Sequence, residues 1–172
     1  MGKITLVLGG TRSGKSNFAQ NMAKKNKGKC AFIATCQPLD NEMKKRISIH
    51  KKSRPKHWKT FENHQDIHEL LKEIGSKFDI IIMDCMTLLI SNLMLNGFKE
   101  NIIKDKITKT LSELKNITAE SIIVSNEVGL GIVPDNKLAR DFRDIAGRIN
   151  QLTAAKSDNV YFLVSGLPWR IK

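Results

Sequence analysis

Eight consecutive residues, Gly9, Gly10, Thr11, Arg12, Ser13, Gly14, Lys15 and Ser16, carry the pattern G-x-x-x-x-G-K-S/T. Each type has a chemical use. The glycines let the backbone turn its N–H groups inward around phosphates, and Lys15 sets a point charge beside the β- and γ-phosphates. The Ser16 hydroxyl can ligate Mg²⁺. An apolar run precedes the loop and a helical stretch, residues 16–26, follows it, which is the context such a loop requires. A second apolar run, Asp79-Ile80-Ile81-Ile82-Met83-Asp84, ends in an acid. That is the form of a Walker B strand, so Asp84 is the second candidate Mg²⁺ ligand. Together these residues point to a bound purine nucleoside triphosphate from which a phosphorus-containing group is moved.

Other reactive residue types are less specific. His50 sits among Arg46, Lys51, Lys52, Arg54 and Lys56. Neighbouring cations disfavour the imidazolium, and a neutral imidazole is a competent nucleophile at phosphorus. From spacing alone, though, a lone histidine in a basic segment is more often a surface residue. His64 and His68, four apart on an expected helix, lack the further ligands a metal site needs. The segment Asn126-Glu127-Val128-Gly129-Leu130-Gly131-Ile132-Val133-Pro134 follows an apolar run. It reads equally as an active-site loop or as an ordinary strand–helix connection. Arg140, Arg143 and Arg148 share a helical stretch with Asp141 and Asp144, where they contact phosphates or pair with the acids; pairing is expected for at least one.

The elements that must position these residues follow from periodicity. Residues 3–8, 30–35, 79–84, 121–125 and 159–165 are short runs rich in Ile, Val, Leu and Phe, as in strands buried on both faces of a parallel sheet. Between them, Ile103, Ile107, Leu111 and Leu114 recur at helical spacing. So do Leu138, Phe142, Ile145, Ile149 and Leu152, with Pro134-Asp135 as the expected helix start. The expectation is an α/β fold: a P-loop NTPase-like, mostly parallel sheet flanked by helices. Residues 1–172 then form a single nucleotide-binding catalytic domain. The segment from Gln37 to Trp58 has no strand signal and is expected to be helix plus loop at the ligand-binding edge of the sheet.

Charge and cysteines bound the setting. The formal charge is +12, and residues 21–60 hold twelve Lys and Arg against Asp40 and Glu42, a surplus of ten. That favours an anionic partner such as a polyphosphate or a nucleic acid. No recognised nucleic-acid module accompanies it, and only Trp58 and Phe61 lie near the basic run as stacking candidates, so no nucleic acid is expected. Cys30, Cys36 and Cys85 form no C-x-x-C pair and are odd in number, which argues for a reducing, cytoplasmic setting. No run approaches the ~20 apolar residues of a membrane span. The apolar N-terminus reads as a buried strand rather than a signal peptide.

Taken in order, these segments resemble the bifunctional adenosylcobinamide kinase / adenosylcobinamide-phosphate guanylyltransferase family of cobalamin biosynthesis. The resemblance runs through residues 9–16, Ile33-Ala34-Thr35, Asp40-Asn41-Glu42-Met43, Arg46-Ile47, His50-Lys51 and Arg54-Pro55-Lys56-His57-Trp58. Its most diagnostic blocks are residues 126–134 and 138–151. It implies two reactions: phosphorylation of the aminopropanol hydroxyl of adenosylcobinamide by ATP or GTP, then transfer of GMP from GTP to that phosphate. The second runs through a GMP–histidine intermediate, and the matching position is His50, which reverses the reading from spacing. Where members can carry two adjacent histidines, this chain has Ile49-His50, and the register with Arg54-Pro55 assigns the role to the second. The resemblance further implies nucleotide contacts from Ala34, Thr35, Cys36, Lys51, Lys52, Ser53, Arg54, Glu62, Asp84 and Cys85, catalytic roles for His50 and Lys15, and a homotrimer. Glu62 could accept from guanine N1–H and N2–H₂ and so select GTP. Two other readings compete with this one: a P-loop small-molecule kinase without guanylyl transfer, and a nucleic-acid-binding ATPase.

Overall fold

The computed structural model describes residues 2–37 and 41–172, without the side chains of Glu42, Met43, Arg46, Ile49, His50 and Ser53. Asp40 therefore lies outside the described residues. The chain alternates strand and helix from β1 (Ile4–Gly9) through α1 (Lys15–Lys25), β2 (Cys30–Ala34), α2 (Asn41–Ser53) and β3 (Lys59–Glu62). It continues with α3 (Ile67–Ile74), β4 (Ile80–Asp84), α4 (Met86–Leu95), α5 (Glu100–Asn116) and β5 (Glu120–Val124). The last elements are α6 (Lys137–Lys156), β6 (Asn159–Val164) and β7 (Leu167–Arg170). One seven-stranded sheet in the order β3-β2-β4-β5-β1-β6-β7 runs through the molecule. All its pairings are parallel except β6 with β7. The expected α/β architecture is present.

Side chains alternate across the strands and divide the core in two. Ile4, Leu6 and Leu8 of β1 join Ile81 and Met83 of β4 under α3, α4, α5 and α6. Val7, Phe32, Ile80 and Ile82 point the other way, onto Ala19 and Ala23 of α1 and onto Trp58.

Several sequence expectations are corrected here. β3 has a mostly exposed pattern and β7 is exposed throughout, so neither shows the continuous apolar run that marked the other strands. Helix α6 is capped by Asn136, whose Oδ1 accepts from Ala139 N at 2.7 Å, so it begins after Pro134-Asp135 rather than at that pair. His64 and His68 do not share a helix. Asn63 Oδ1 accepts from the backbone N–H groups of Gln65 (3.2 Å) and Asp66 (3.0 Å), an Asx turn that leaves His64 in the loop and delays α3 to Ile67. Trp58 is only 8% exposed, and Phe61 packs edge-on against Phe78, so both belong to the core and not to a stacking platform. None of the described helices is long and apolar enough to cross a membrane.

Candidate active site

The register of the sheet assembles the site. Glu62 pairs with Ala34, Ala34 with Asp84, Asp84 with Val124, and Val7 with Val124. These five residues from five strands stand in one row at the carboxyl edge, where ligands bind in open α/β sheets. The loop between β1 and α1 rises from the same row. Gly9 has φ +151°, and a Cβ on it would stand 2.6 Å from Leu163 O and from Ser13 Oγ. Gly14, the N-cap of α1, has φ +94°, a left-handed conformation that glycine adopts without penalty.

A cleft of about 640 Å³ opens over this row. Its floor is Thr11, Arg12, Ser13, Gly14, Lys15 and Ser16, with Asn17. One wall is α2, which contributes Lys44, Ile47 and Lys51, followed by Arg54 just past the helix end. The back is Ala34, Cys36, Glu62, Asp84, Cys85 and Asn126. Among the expected residues, Gly9, Gly10 and the exposed Lys52 are not among the lining, and the side chains of His50 and Ser53 lie outside the described residues. Thr35 is placed differently from what the resemblance implies. Its side chain is wholly buried behind the cleft, and its hydroxyl is engaged with the backbone of Cys85. Lys44 and Ile47 were missed, although they stand seven and four residues before Lys51, the spacing of one helix face.

The electrostatics suit a polyphosphate. Lys15 is buried, and its Nζ donates to Gly10 O at 2.6 Å. Burial lowers its pKa, while the nearby Cys85 and Asp84 act in the opposite direction. Arg54 lies with its guanidinium carbon 3.6 Å from the centre of the Phe32 ring. Burial lowers its pKa as well, opposed by Asp84 and Glu62, so the ring holds a partly desolvated cation facing the cleft. Glu62 accepts from Lys51 Nζ, and this hydrogen bond holds its carboxyl below the usual range. Burial pushes the Cys85 thiol up to about 12, so it is no nucleophile at neutral pH.

The loop after β5 is tied to the floor by Glu127 N donating to Gly9 O at 3.0 Å, and Glu127 Oε1 caps Gly129 N. The three arginines of α6 are engaged within the protein. Arg143 pairs with Asp144, as expected for at least one of them. Arg148 pairs with Glu100 of α5, and Arg140 donates to the carbonyls of Pro134 and Asp135.

A phosphate-cradling loop at the end of a central parallel strand, facing an acidic strand end, defines a P-loop nucleotide-binding protein. A KaiC-like protein from Pyrococcus horikoshii shares the fold at a TM-score of 0.53 and 14% identity, over 93% of this chain and 70% of that one. The family is narrower. Residues 5–171 match the cobinamide kinase / cobinamide phosphate guanyltransferase family (CobU), and the chain belongs to it; it is a transferase. Among its relatives are the bifunctional adenosylcobalamin biosynthesis proteins CobU of Salmonella typhimurium, 41% identical, and of Escherichia coli, 38% identical. Each alignment covers 98% of this chain and 99% of the relative. CobP of Pseudomonas aeruginosa is 38% identical over 97% of this chain and 96% of its own.

Proposed function

We propose that this chain catalyses both family reactions in the one cleft. In the first, the aminopropanol hydroxyl of adenosylcobinamide attacks the γ-phosphorus of ATP or GTP; the nucleoside diphosphate leaves and the hydroxyl proton passes to solvent. In the second, the His50 imidazole attacks the α-phosphorus of GTP and pyrophosphate leaves. The phosphate oxygen of adenosylcobinamide phosphate then attacks the same phosphorus. The P–N bond breaks, and adenosylcobinamide-GDP and the free imidazole result. The observation that carries this reading is the cleft itself, in which the phosphate loop faces α2, the helix on which His50 precedes Lys51. Lys15, Lys51 and Arg54 would offset charge on the phosphates under attack, and Glu62 would read guanine.

Ser16 and Asp84 would hold Mg²⁺. Both line the cleft, and among the described residues no group of three His, Cys, Asp or Glu could hold a metal by itself. One hydroxyl and one carboxylate suit Mg²⁺, which keeps waters and takes substrate phosphates as its remaining ligands. Bound there, it would neutralise charge on the β- and γ-phosphates.

The homotrimer belongs to the same proposal. Leu130, Ile132 and Val133 of the loop after β5 are exposed, as are Leu167, Trp169 and Ile171 at the β7 edge. Exposed apolar side chains of this size are what a contact between subunits would cover. Sedimentation should then give three times the chain mass. The reactions are placed in the cytoplasm, where Cys30, Cys36 and Cys85 persist as thiols.

The decisive experiment uses GTP labelled at the α-phosphorus with the His50→Asn variant. The wild type should acquire an acid-labile, alkali-stable label. The variant should acquire none and form no adenosylcobinamide-GDP, yet still phosphorylate adenosylcobinamide. Label on Lys51 or Lys52, or full guanylyl transfer by the variant, would defeat the assignment. A wild type that phosphorylates without ever becoming labelled would favour the plain kinase.

A further inference from the structure

Asp84 is the last residue of β4 and, to serve the phosphates, must hold one place relative to Lys15. The structure supplies a fastening. Thr35, with no exposed surface, grips the peptide that leaves Asp84 at both ends. Its backbone N–H donates to Asp84 O at 3.2 Å, and its Oγ1 accepts from Cys85 N at 2.8 Å. The same hydroxyl donates to Cys85 O at 2.8 Å, so its single donor is spent on this one turn of chain.

Thr35 is itself held from behind. Its carbonyl accepts from Asn92 Nδ2 at 2.7 Å, and Asn92 is a buried residue of α4. His64 Nδ1 stands 3.1 Å from the same carbonyl; a carbonyl only accepts, so the ring proton of that bond resides on Nδ1. Asn92 Nδ2 also lies 3.4 Å from His64 O. His64 is two residues beyond Glu62, and Asn63 N donates to Ala34 O at 3.1 Å. One hydrogen-bonded knot, with Thr35 and Asn92 buried and His64 half-buried, therefore joins the strand end that bears Asp84 to the strand end that bears Glu62.

We infer that Thr35, with Asn92 and His64 behind it, is a positioning residue that sets the Asp84 carboxylate for its work on the nucleotide phosphates. This rests on the proposed role of Asp84 at the metal and phosphates. Outer partners of this kind typically govern affinity and rate at a site without touching the ligand. Thr35 keeps its hydroxyl away from the cleft and acts through the Asp84–Cys85 backbone.

The test compares Thr35→Val, which keeps the shape and loses the hydroxyl, with Thr35→Ser, which keeps the hydroxyl. Binding of Mn²⁺ to the full-length protein saturated with GTP is read by electron paramagnetic resonance, and kcat and KM are read for phosphoryl transfer. Thr35→Val should weaken Mn²⁺ binding and lower kcat by roughly tenfold or more while KM for GTP moves little, and Thr35→Ser should recover most of both. Asn92→Leu should shift both readouts in the same direction as Thr35→Val. Wild-type Mn²⁺ affinity in Thr35→Val would overturn the inference, as would equal loss in Val and Ser variants that melt like the wild type. The binding readout needs no corrinoid. If the wild type failed to act on adenosylcobinamide, the proposed function would fall while the knot would still be decided by Mn²⁺ affinity.

Discussion

Changing Glu62 to Gln isolates the proposed guanine contact. A carboxylate can accept from both guanine N1–H and N2–H₂, whereas an amide presents one acceptor and turns an NH₂ toward a donor. The loss is about one charge-assisted hydrogen bond, roughly 1.5–3 kcal/mol. The free protein reduces this, because Glu62 already accepts from Lys51 and GTP must displace that lysine. Both side chains of the pair are about half exposed (49% and 50%), so displacing Lys51 costs about 0.2–1 kcal/mol. The net, about 0.5–2.8 kcal/mol, predicts a roughly 2- to 110-fold loss in GTP affinity with ATP affinity nearly unchanged. Calorimetric titration of each nucleotide against wild type and variant measures the ratio directly. A GTP/ATP ratio within about twofold of wild type would refute the placement of guanine at Glu62, since not even the weakest single hydrogen bond would then be lost. The same contact predicts a pH dependence. The folded-state pKa of Glu62 is depressed by Lys51, so the carboxylate is fully charged above the ordinary carboxylate range. Discrimination should hold there and fade only as pH falls through the depressed value.

Lys15→Ala should abolish both transfers, because both need a triphosphate bound at the loop and Lys15 is the buried cation within it; near-normal guanylyl transfer would imply a second nucleotide site. Gly14→Ala forces a side chain into φ +94° and brings its Cβ 3.3 Å from Gly166 Cα, so a cost of about 1–3 kcal/mol in stability is expected, read as a lowered Tm together with weakened nucleotide binding. Iodoacetamide at pH 8 should label Cys36 well before Cys30 or Cys85, whose thiols burial pushes up to about 12; mass spectrometry after timed quenching identifies the order.

Much of this protein is legible in its sequence because the relevant physics is local. The loop at residues 9–16 needs particular residue types in consecutive positions, so it can be read without knowing what surrounds it. The buried strands announce themselves as apolar runs because both faces of a parallel sheet are covered. Ends and edges were harder to read. β3 and β7 lie at the two edges of the sheet, and their exposed residues carry no apolar run to recognise. The start of α6 was settled by a single Asn136 hydrogen bond that outweighed the nearby proline.

What only the tertiary structure decided was the company each site residue keeps. Glu62 and Asp84 are twenty-two residues apart and on different strands, yet parallel register places both in a row with Ala34. Thr35 and Cys36 are adjacent in sequence, but one is sealed behind the cleft and the other lines it. The pairing of Lys51 with Glu62 and the seating of Arg54 on Phe32 link residues from different elements. Residue types report what chemistry is available. Strand register and helix packing determine which of those groups meet, because such contacts depend on long-range pairings that no local window of sequence contains.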